Sequence, residues 1–507
     1  MKEFTRSEIA KHNSENDAWI IIDTTVYDIS KFAGMHPGGE LLLLEHAGTD
    51  ATEQFYAFHR QEVLKKYEKL KIGKILNESP EIDFPVPGDF SKVPYGEHSA
   101  FQSFYSPYYN KSHHEFRRAI RKFILEEILP EATTNDPIGD IASKEIWKKM
   151  GDFGFLACRM GPGKHLDNFK LPANIKPSEF DYFHEQIAQE ELMTIGYPSY
   201  QDSLGSGMVI GLPPVMHFAK PHIRDRVMHE VLTGEKQICL AITEPGAGSD
   251  VAAITTTATL TDDGKYYIVN GIKKWITNGT FSDYFSTAVT IDGGISMLLI
   301  ERSSGLETKP IKTSYSASAG TALVIFENVK VPVENLLGEE GGGFFVIMAN
   351  FNHERWCIIA GIVFACRKIV EECFKWSNQR MVFGKRLIDQ PVIRNKLAHM
   401  VSKVEAVTNW MESLTYQFNK MSYREVASKL GGPLALLKLI STRAAHDIVD
   451  DAVQIFGGRA ITQTGMGRAI EMAQRTYKYA AILGGSEEIM AELGIRQAIR
   501  KFPNARL

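Results

Sequence analysis

The hydrophobic period changes several times along the chain. Residues 7–13 read as a short helix, and the apolar runs 19–23 and 26–28 read as strands with Thr24 and Thr25 between them. From 77 to 107 no period survives. Pro80, Pro85, Pro87, Gly88, Pro94, Gly96 and Pro107 stand among serines and acids, the composition of a partly stiff linker. From His113 a helical period sets in, with Phe116, Ile120, Phe123, Ile124 and Ile128 on one face, and Pro130 is expected to end that helix. Trp147, Met150, Phe153 and Phe155, then Phe180, Tyr182, Ile187, Leu192 and Met193, continue a helical layer up to Gly196 and Pro198. After Gly234 the period drops to two. Residues 253–260, 265–270 and 272–276 read as strands with Asp263-Gly264 and Asn270-Gly271 at the turns, and 298–300 and 323–326 add more, giving a small antiparallel β domain. Gly338 to Gly343 lead into a long amphipathic helix over 345–380.

Composition narrows the class. A chain of 507 residues holds several domains, and 44% hydrophobic with 23% charged residues is ordinary for globular protein. A net charge of −4 and a pI of about 6.5 imply neither nucleic acid nor an anionic membrane as partner. No apolar run reaches the ~20 residues of a membrane-spanning helix. Cys158, Cys239, Cys357, Cys366 and Cys373 form no CxxC pair and sit in apolar contexts, which reads as reduced, buried thiols. The N-terminus shows no signal or transit pattern. The ending Ala505-Arg506-Leu507 is similar to the small-basic-Leu peroxisomal address, with a frayed tail as the other reading. Peroxisome is therefore expected ahead of cytoplasm.

Two histidines in the first segment suggest a metal macrocycle. His36 leads His36-Pro37-Gly38-Gly39, and His59 follows Ala47-Gly48-Thr49-Asp50-Ala51-Thr52. Each can offer a neutral imidazole to one face of a flat iron macrocycle, with Leu41 to Leu44, Phe55 and Phe58 walling the pocket. Together with Asp17-Ala18-Trp19 and Tyr67-Glu68-Lys69-Leu70-Lys71-Ile72-Gly73, residues 1–76 resemble cytochrome b5. The resemblance implies a small α+β domain in which His36 and His59 are the axial ligands of haem b. Two protein ligands leave no open iron position, so such a haem carries single electrons.

Two blocks carry the remaining chemistry in the middle of the chain. Leu240-Ala241-Ile242-Thr243-Glu244-Pro245-Gly246-Ala247-Gly248-Ser249-Asp250 turns sharply, and its amides and hydroxyls suit a flat, phosphate-bearing cofactor. Lys274-Trp275-Ile276-Thr277-Asn278-Gly279 places an indole and a hydroxyl at a strand end, where Trp275 alone would read as a core aromatic. The paired blocks resemble the flavin-binding segments of the acyl-CoA dehydrogenase family, a similarity running through roughly 108–503. It implies an N-terminal helical domain (108–235), a middle β-barrel-like domain (236–340) and a C-terminal four-helix bundle (341–507), making the whole an α+β multidomain protein. FAD would meet the backbone of Leu240, Ala241, Ile242 and Thr243, the Thr243 hydroxyl, Trp275, Ile276 and Thr277, with Thr277 directed toward N5. Ser249 would meet the acyl-CoA pantetheine or the flavin phosphates.

Glu354 stands in Phe351-Asn352-His353-Glu354-Arg355-Trp356, amid apolar residues. It reads either as a surface ion pair with Arg355 or His353, or as a base whose pKa an apolar cleft raises. In the family the base sits either before the Gly-Thr or Gly-Ser near the C-terminus, here Gly484, or at the Glu of a Glu-Arg pair on this helix. Glycine at 484 thus points to Glu354, as in the isovaleryl and long-chain branches, and the Gly484 N–H would stabilise the enolate oxygen. Phe351, Asn352 and Arg355 match CoA-binding positions, although the family often has Asp where this chain has Asn352. Arg380 and Phe383 resemble residues that reach the neighbouring subunit's FAD. Without the family pattern, Arg380 reads equally as a helix-end cation. Gln454, Ile455, Phe456, Gly457 and Gly458 resemble the loop around that FAD's pyrophosphate, and Ser486 and Glu488 would sit near the adenosine.

The resemblance implies a homo-oligomeric enzyme that desaturates an acyl-CoA thioester to a trans-2-enoyl-CoA and passes electrons to its own haem, an electron-transfer protein or O2. A flavin oxidase, a flavin enzyme with another substrate such as a nitroalkane, and a non-catalytic electron carrier remain as alternatives.

Overall fold

The computed structural model describes residues 2–82, 86–500 and 502, apart from the side chains of Glu62 and Tyr423. The tail holding Ala505-Arg506-Leu507 lies outside the described residues. The chain forms two compact units. The first joins Met1–Val86 to Glu371–Ala398 and Asp451–Glu471, and the second comprises Pro87–Val370, His399–Asp450 and Met472–Leu507.

In the first unit, β1 (Lys2–Phe4), β2 (Asn13–Ser14), β3 (Asp17–Ile22), β4 (Thr25–Asp28) and β5 (Lys71–Ile75) form a sheet in the order β1-β5-β4-β3-β2. Alternation sorts the side chains. Ile20, Ile22 and Tyr27 pack with Phe55 and Leu43, whereas Ile21, Val26 and Ile75 pack with Ile9. Asp23 and Thr24 both take left-handed backbone (φ 46° and 60°), which makes the tight turn between β3 and β4. The expected 7–13 helix is shorter, Arg6–Ile9. A Thr5/Glu8 capping box starts it, and Asn13 already pairs with Ala18 in the sheet.

In the second unit, part of the segment read as linker is built in: Glu97, His98, Ala100 and Phe101 are buried. Glu97 is the reason. With Glu191 it receives Arg121, and Glu190 and Glu191 receive Arg117, so buried charges tie the Lys111–Phe123 and Tyr182–Glu191 helices to the 87–107 segment. Pro130 does not end its helix. The backbone loosens into one wide turn at Ile124–Ile128, and Pro130 falls in the first turn of Leu129–Asn135, where a missing N–H costs nothing.

The middle sheet contains β6 (Ile238–Ala241), β7 (Thr257–Leu260), β8 (Tyr266–Ile276), β9 (Tyr284–Ile291), β10 (Gly294–Glu301), β11 (Leu306–Pro310) and β12 (Ala322–Pro332). Their order is β10-β9-β7-β8-β12-β11, and β6 lies parallel to β9, a departure from the purely antiparallel expectation. Asn270-Gly271 is not a turn either. β8 runs straight through it, and Gly271 (φ 151°) is required because a Cβ there would lie 2.5 Å from the Thr256 hydroxyl. The C-terminal part is helical, with Gly343–Gln379, Pro391–Lys420, Gly431–Phe456 and Glu487–Arg500 as its long elements. No helix among the described residues is long and apolar enough to cross a membrane, and all five cysteines are free.

Candidate active site and cofactor sites

In the second unit a buried ion pair shapes the 240–250 turn. Lys273 donates to the Ile242 carbonyl (2.9 Å) and to Glu244 (2.7 Å), while Glu244 accepts from Thr255 N–H (2.6 Å) and Thr256 N–H (2.9 Å). Burial alone would raise the Glu244 pKa, but Lys273 and the Thr255 and Thr256 bonds hold it at about 2. Lys274 N–H donates to the Thr243 carbonyl (2.8 Å), joining the two flavin-like blocks. The side chains of Ala241, Ile242 and Ile276 are buried in the core, so this stretch offers backbone and the Thr243 and Thr277 hydroxyls.

Trp275 is re-aimed. It takes left-handed backbone (φ 67°) at an irregularity in the β8–β12 register and leaves 49% of its surface exposed. Nothing lies within 4 Å of a Cβ built at Gly246 or Gly248, and Ser249 is exposed. An uncovered indole beside an open glycine turn fits a flat ring with a phosphate tail. FAD therefore fits this site.

Glu354 lies on the Gly343–Gln379 helix, 8% exposed, and its Oε2 is buried without a partner. Burial raises its pKa above the ordinary 4.5, against the pull of Arg355, Lys438 and His353. Gly484 faces it: a Cβ there would lie 2.9 Å from Ile358 Cδ1 and 3.5 Å from Glu354 Oε1. Gly484 is left-handed (φ 64°) and its N–H has no partner among the described residues. Two buried cations hold this loop by its carbonyls. Arg355 Nε donates to Gly484 O (2.9 Å), and Lys438 Nζ donates to Ala480 O (2.9 Å) and Gly485 O (2.7 Å). Burial, with Arg355 nearby, lowers the Lys438 pKa to about 8.

Lys438 was not found from sequence, although a lone lysine in Leu434-Ala435-Leu436-Leu437-Lys438-Leu439-Ile440 is the kind of buried charge that needs a reason. The residues expected at CoA take the following positions. Arg355 points inward to Gly484, and Asn352 is buried and donates to Val426 O at 3.5 Å, while Phe351 keeps partial exposure under the Arg355 guanidinium at 5.3 Å. Ser486 Oγ accepts from Ile489 N–H (3.4 Å) as a helix cap, and Glu488 is exposed beside it.

The first unit gathers the other predicted residues. His36 and His59 face each other with ring centres 5.9 Å apart. Two imidazoles on opposite sides of one ion, bound at about 2 Å, need roughly that separation. His36 Nδ1 lies 3.0 Å from the Gly39 carbonyl, which leaves Nε2 for a metal. Burial, with His36 alongside, lowers the His59 pKa and favours the neutral ring that a metal needs. Met35, Leu41, Leu42 and Phe58 are exposed apolar side chains around the pair, a lining that fits a porphyrin.

The same unit carries Arg380, partly exposed, and Phe383, 96% exposed at the tip of the Met381–Val382/Lys385–Arg386 hairpin. Gln454, Gly457 and Gly458 are exposed, but Ile455 and Phe456 are core residues, Phe456 stacking on Trp376 (5.4 Å, 18°). Arg60 pairs with Glu372, and the Arg459 guanidinium lies 4.9 Å from the Trp376 ring and 5.9 Å from that of Phe58.

Residues 110–235, 239–329 and 341–499 match the models of the acyl-CoA dehydrogenase N-terminal, middle and C-terminal domains, and 5–76 match the cytochrome b5-like heme/steroid binding domain. The acyl-CoA dehydrogenase apdG of Emericella nidulans is 37% identical over 425 residues, covering 82% of this chain and 97% of that protein. The mitochondrial long-chain specific acyl-CoA dehydrogenase of Mus musculus is 26% identical over 400 residues, 77% of this chain and 87% of its own. A Bacillus anthracis acyl-CoA dehydrogenase solved with FAD superposes with a TM-score of 0.70 at 27% identity, over 78% of this chain and 68% of that one. The chain belongs to the acyl-CoA dehydrogenase family and carries a fused cytochrome b5-like domain. It is an oxidoreductase acting on CH–CH groups, with FAD and haem as its cofactors.

Proposed function

We propose that the enzyme converts an acyl-CoA thioester to its trans-2-enoyl-CoA, with Glu354 removing the α-proton. The observation that carries this is the buried Glu354 carboxylate, one oxygen unpartnered, against a glycine whose missing side chain leaves it room. Desolvation makes that carboxylate a stronger base than one in water. The unpaired Gly484 N–H suits an enolate oxygen, since a donor already in place favours charge that develops only as the proton leaves. Arg355 and Lys438 fix that amide by gripping the loop's carbonyls. FAD, held at Leu240 to Thr243, Trp275 and Thr277, would supply the hydride acceptor for the β-hydrogen. The test is exchange of the thioester's α-hydrogens with heavy water. The native protein is expected to catalyse it and Glu354→Gln is not; exchange undiminished in the variant removes Glu354 as the base.

Haem b, when bound, moves one electron at a time, and we infer that it relays the electrons of this reaction. The support lies in the first unit: the haem-ligand module packs through Arg60 and Phe58 against Glu372 and Arg459. Arg459 directly follows residues 454–458 and lies within range of the Arg380 charge, and by family likeness Arg380, Phe383 and 454–458 complete the FAD site of a second subunit. The fully exposed Phe383 supports that dimeric arrangement. Tethering replaces a diffusing acceptor with one at high effective concentration.

A further inference from the structure

The wall beyond Glu354 is charged. On the Gly343–Gln379 helix, Cys357, Ile358 and Gly361 keep partial exposure, whereas Trp356, Ile359, Ala360 and Val363 are closed off. These open positions follow Glu354 at helical spacing, so they share one face of the helix with it. Residues 182–206 pack against this helix. Met193 Sδ and Cε come within 3.6 Å of a Cβ built at Gly361, and Glu185 meets His353 Nε2 at 2.6 Å.

Four polar groups sit here instead of hydrocarbon. Glu185 is fully buried, and its Oε2 has no partner. Burial opposes a charge on His353, but Cys357 and Glu185 outweigh it and raise its pKa well above 6.5, while 17% of that side chain still meets solvent-sized space. Asp202 is half-buried, bonded to Tyr315 (2.7 Å) and Ser206 (2.8 Å), and burial raises its pKa.

Arg159 is 2% exposed and has no carboxylate within ion-pair distance among the described residues. Its Nε donates to Gln189 Oε1 (3.3 Å), one Nη donates to the Leu204 carbonyl, and its other N–H groups have no partner there. Burial lowers its pKa to about 10, and Cys357, Asp202 and Glu185 lie within range of its charge. A pocket for a saturated tail has no use for a guanidinium sunk to 2% exposure without a carboxylate partner, because a buried charge costs free energy unless it is paired.

We propose that the acyl group carries an oxygen acceptor, a carboxylate or a ketone, beyond its β-carbon, and that Arg159 receives it. This rests on the acyl-CoA reading above and names its substrate class. The Glu185–His353 pair and Asp202 complete the polar wall and exclude a plain hydrocarbon end.

The experiment uses the full-length holoenzyme without oxygen, following flavin bleaching by hexanoyl-CoA, its ω−1 ketone and adipyl-CoA. The oxygenated thioesters are expected to exceed hexanoyl-CoA by roughly tenfold or more in kcat/KM, since a site built to hydrogen-bond an oxygen rejects the analogue lacking it. The better of the two identifies the acceptor as carboxylate or ketone. Arg159→Met is expected to erase that preference while hexanoyl-CoA holds its rate, and FAD and haem absorbance reports whether the variant folds. Hexanoyl-CoA equalling or beating both in the native enzyme overturns the proposal, and needs no variant. A variant that folds yet lowers all three alike overturns it too. If no thioester bleaches the flavin, the acyl-CoA reading itself fails.

Discussion

Position 484 gives the sharpest residue-level test of the site. Alanine there must hold a left-handed backbone and set its methyl 2.9 Å from Ile358 Cδ1 and 3.5 Å from the Glu354 carboxylate. Gly484→Ala is expected to lower turnover at least about tenfold by displacing the base, with FAD and haem absorbance unchanged. The pH profile adds a second test. Glu354 must be ionised to act, and burial raises its pKa, so the acid limb of kcat/KM falls above 4.5. Lys438 favours the charged carboxylate, so Lys438→Met moves that limb to still higher pH; a limb moving down would mean the lysine acts otherwise. The Glu-Arg pair and the glycine were legible as motifs, because they are local in sequence. That Arg355 and Asn352 turn inward was not, because their partners, Gly484 and Val426, lie far along the chain.

The flavin-like turn is held by a pair of charges that no local pattern announces. Glu244 and Lys273 are both buried and 2.7 Å apart, so breaking the pair leaves an uncompensated charge. Lys273→Met or Glu244→Gln is expected to cost about 3–5 kcal/mol in chemical denaturation and to weaken FAD retention. The acid response has a definite sign. Glu244 titrates at about 2 in the fold against an ordinary 4.5, so its contribution is complete above 4.5 and is lost as pH falls toward 2. Elements set by periodicity were readable: the long helix, the alternating β3 and β4, and the strand-rich middle. Asn270-Gly271 and Pro130 misled because glycine and proline mark a backbone requirement without saying which. Gly271 makes room for Thr256, and Pro130 opens a turn that a wider one upstream prepares.

For the whole molecule, the haem and dehydrogenase functions are separable by ligand loss. His36→Ala and His59→Ala are each expected to abolish the haem spectrum while thioester still bleaches the flavin, since neither residue belongs to the catalytic unit. In the native protein, anaerobic acyl-CoA should bleach the flavin and then reduce the haem; a bleached flavin beside a haem that stays ferric refutes the relay. Domain order was legible because each module carries its own motifs, whereas the packing of Arg60 on Glu372 and of Phe58 near Arg459 depends on residues hundreds of positions apart. The central claim is that Glu354 performs the proton abstraction. Its most direct test is single-turnover, oxygen-free flavin reduction by a bound acyl-CoA in native protein and in Glu354→Gln, both loaded with FAD and haem. The account predicts bleaching in the native enzyme and a rate lower by about a hundredfold or more in the variant; equal rates in the two would contradict it.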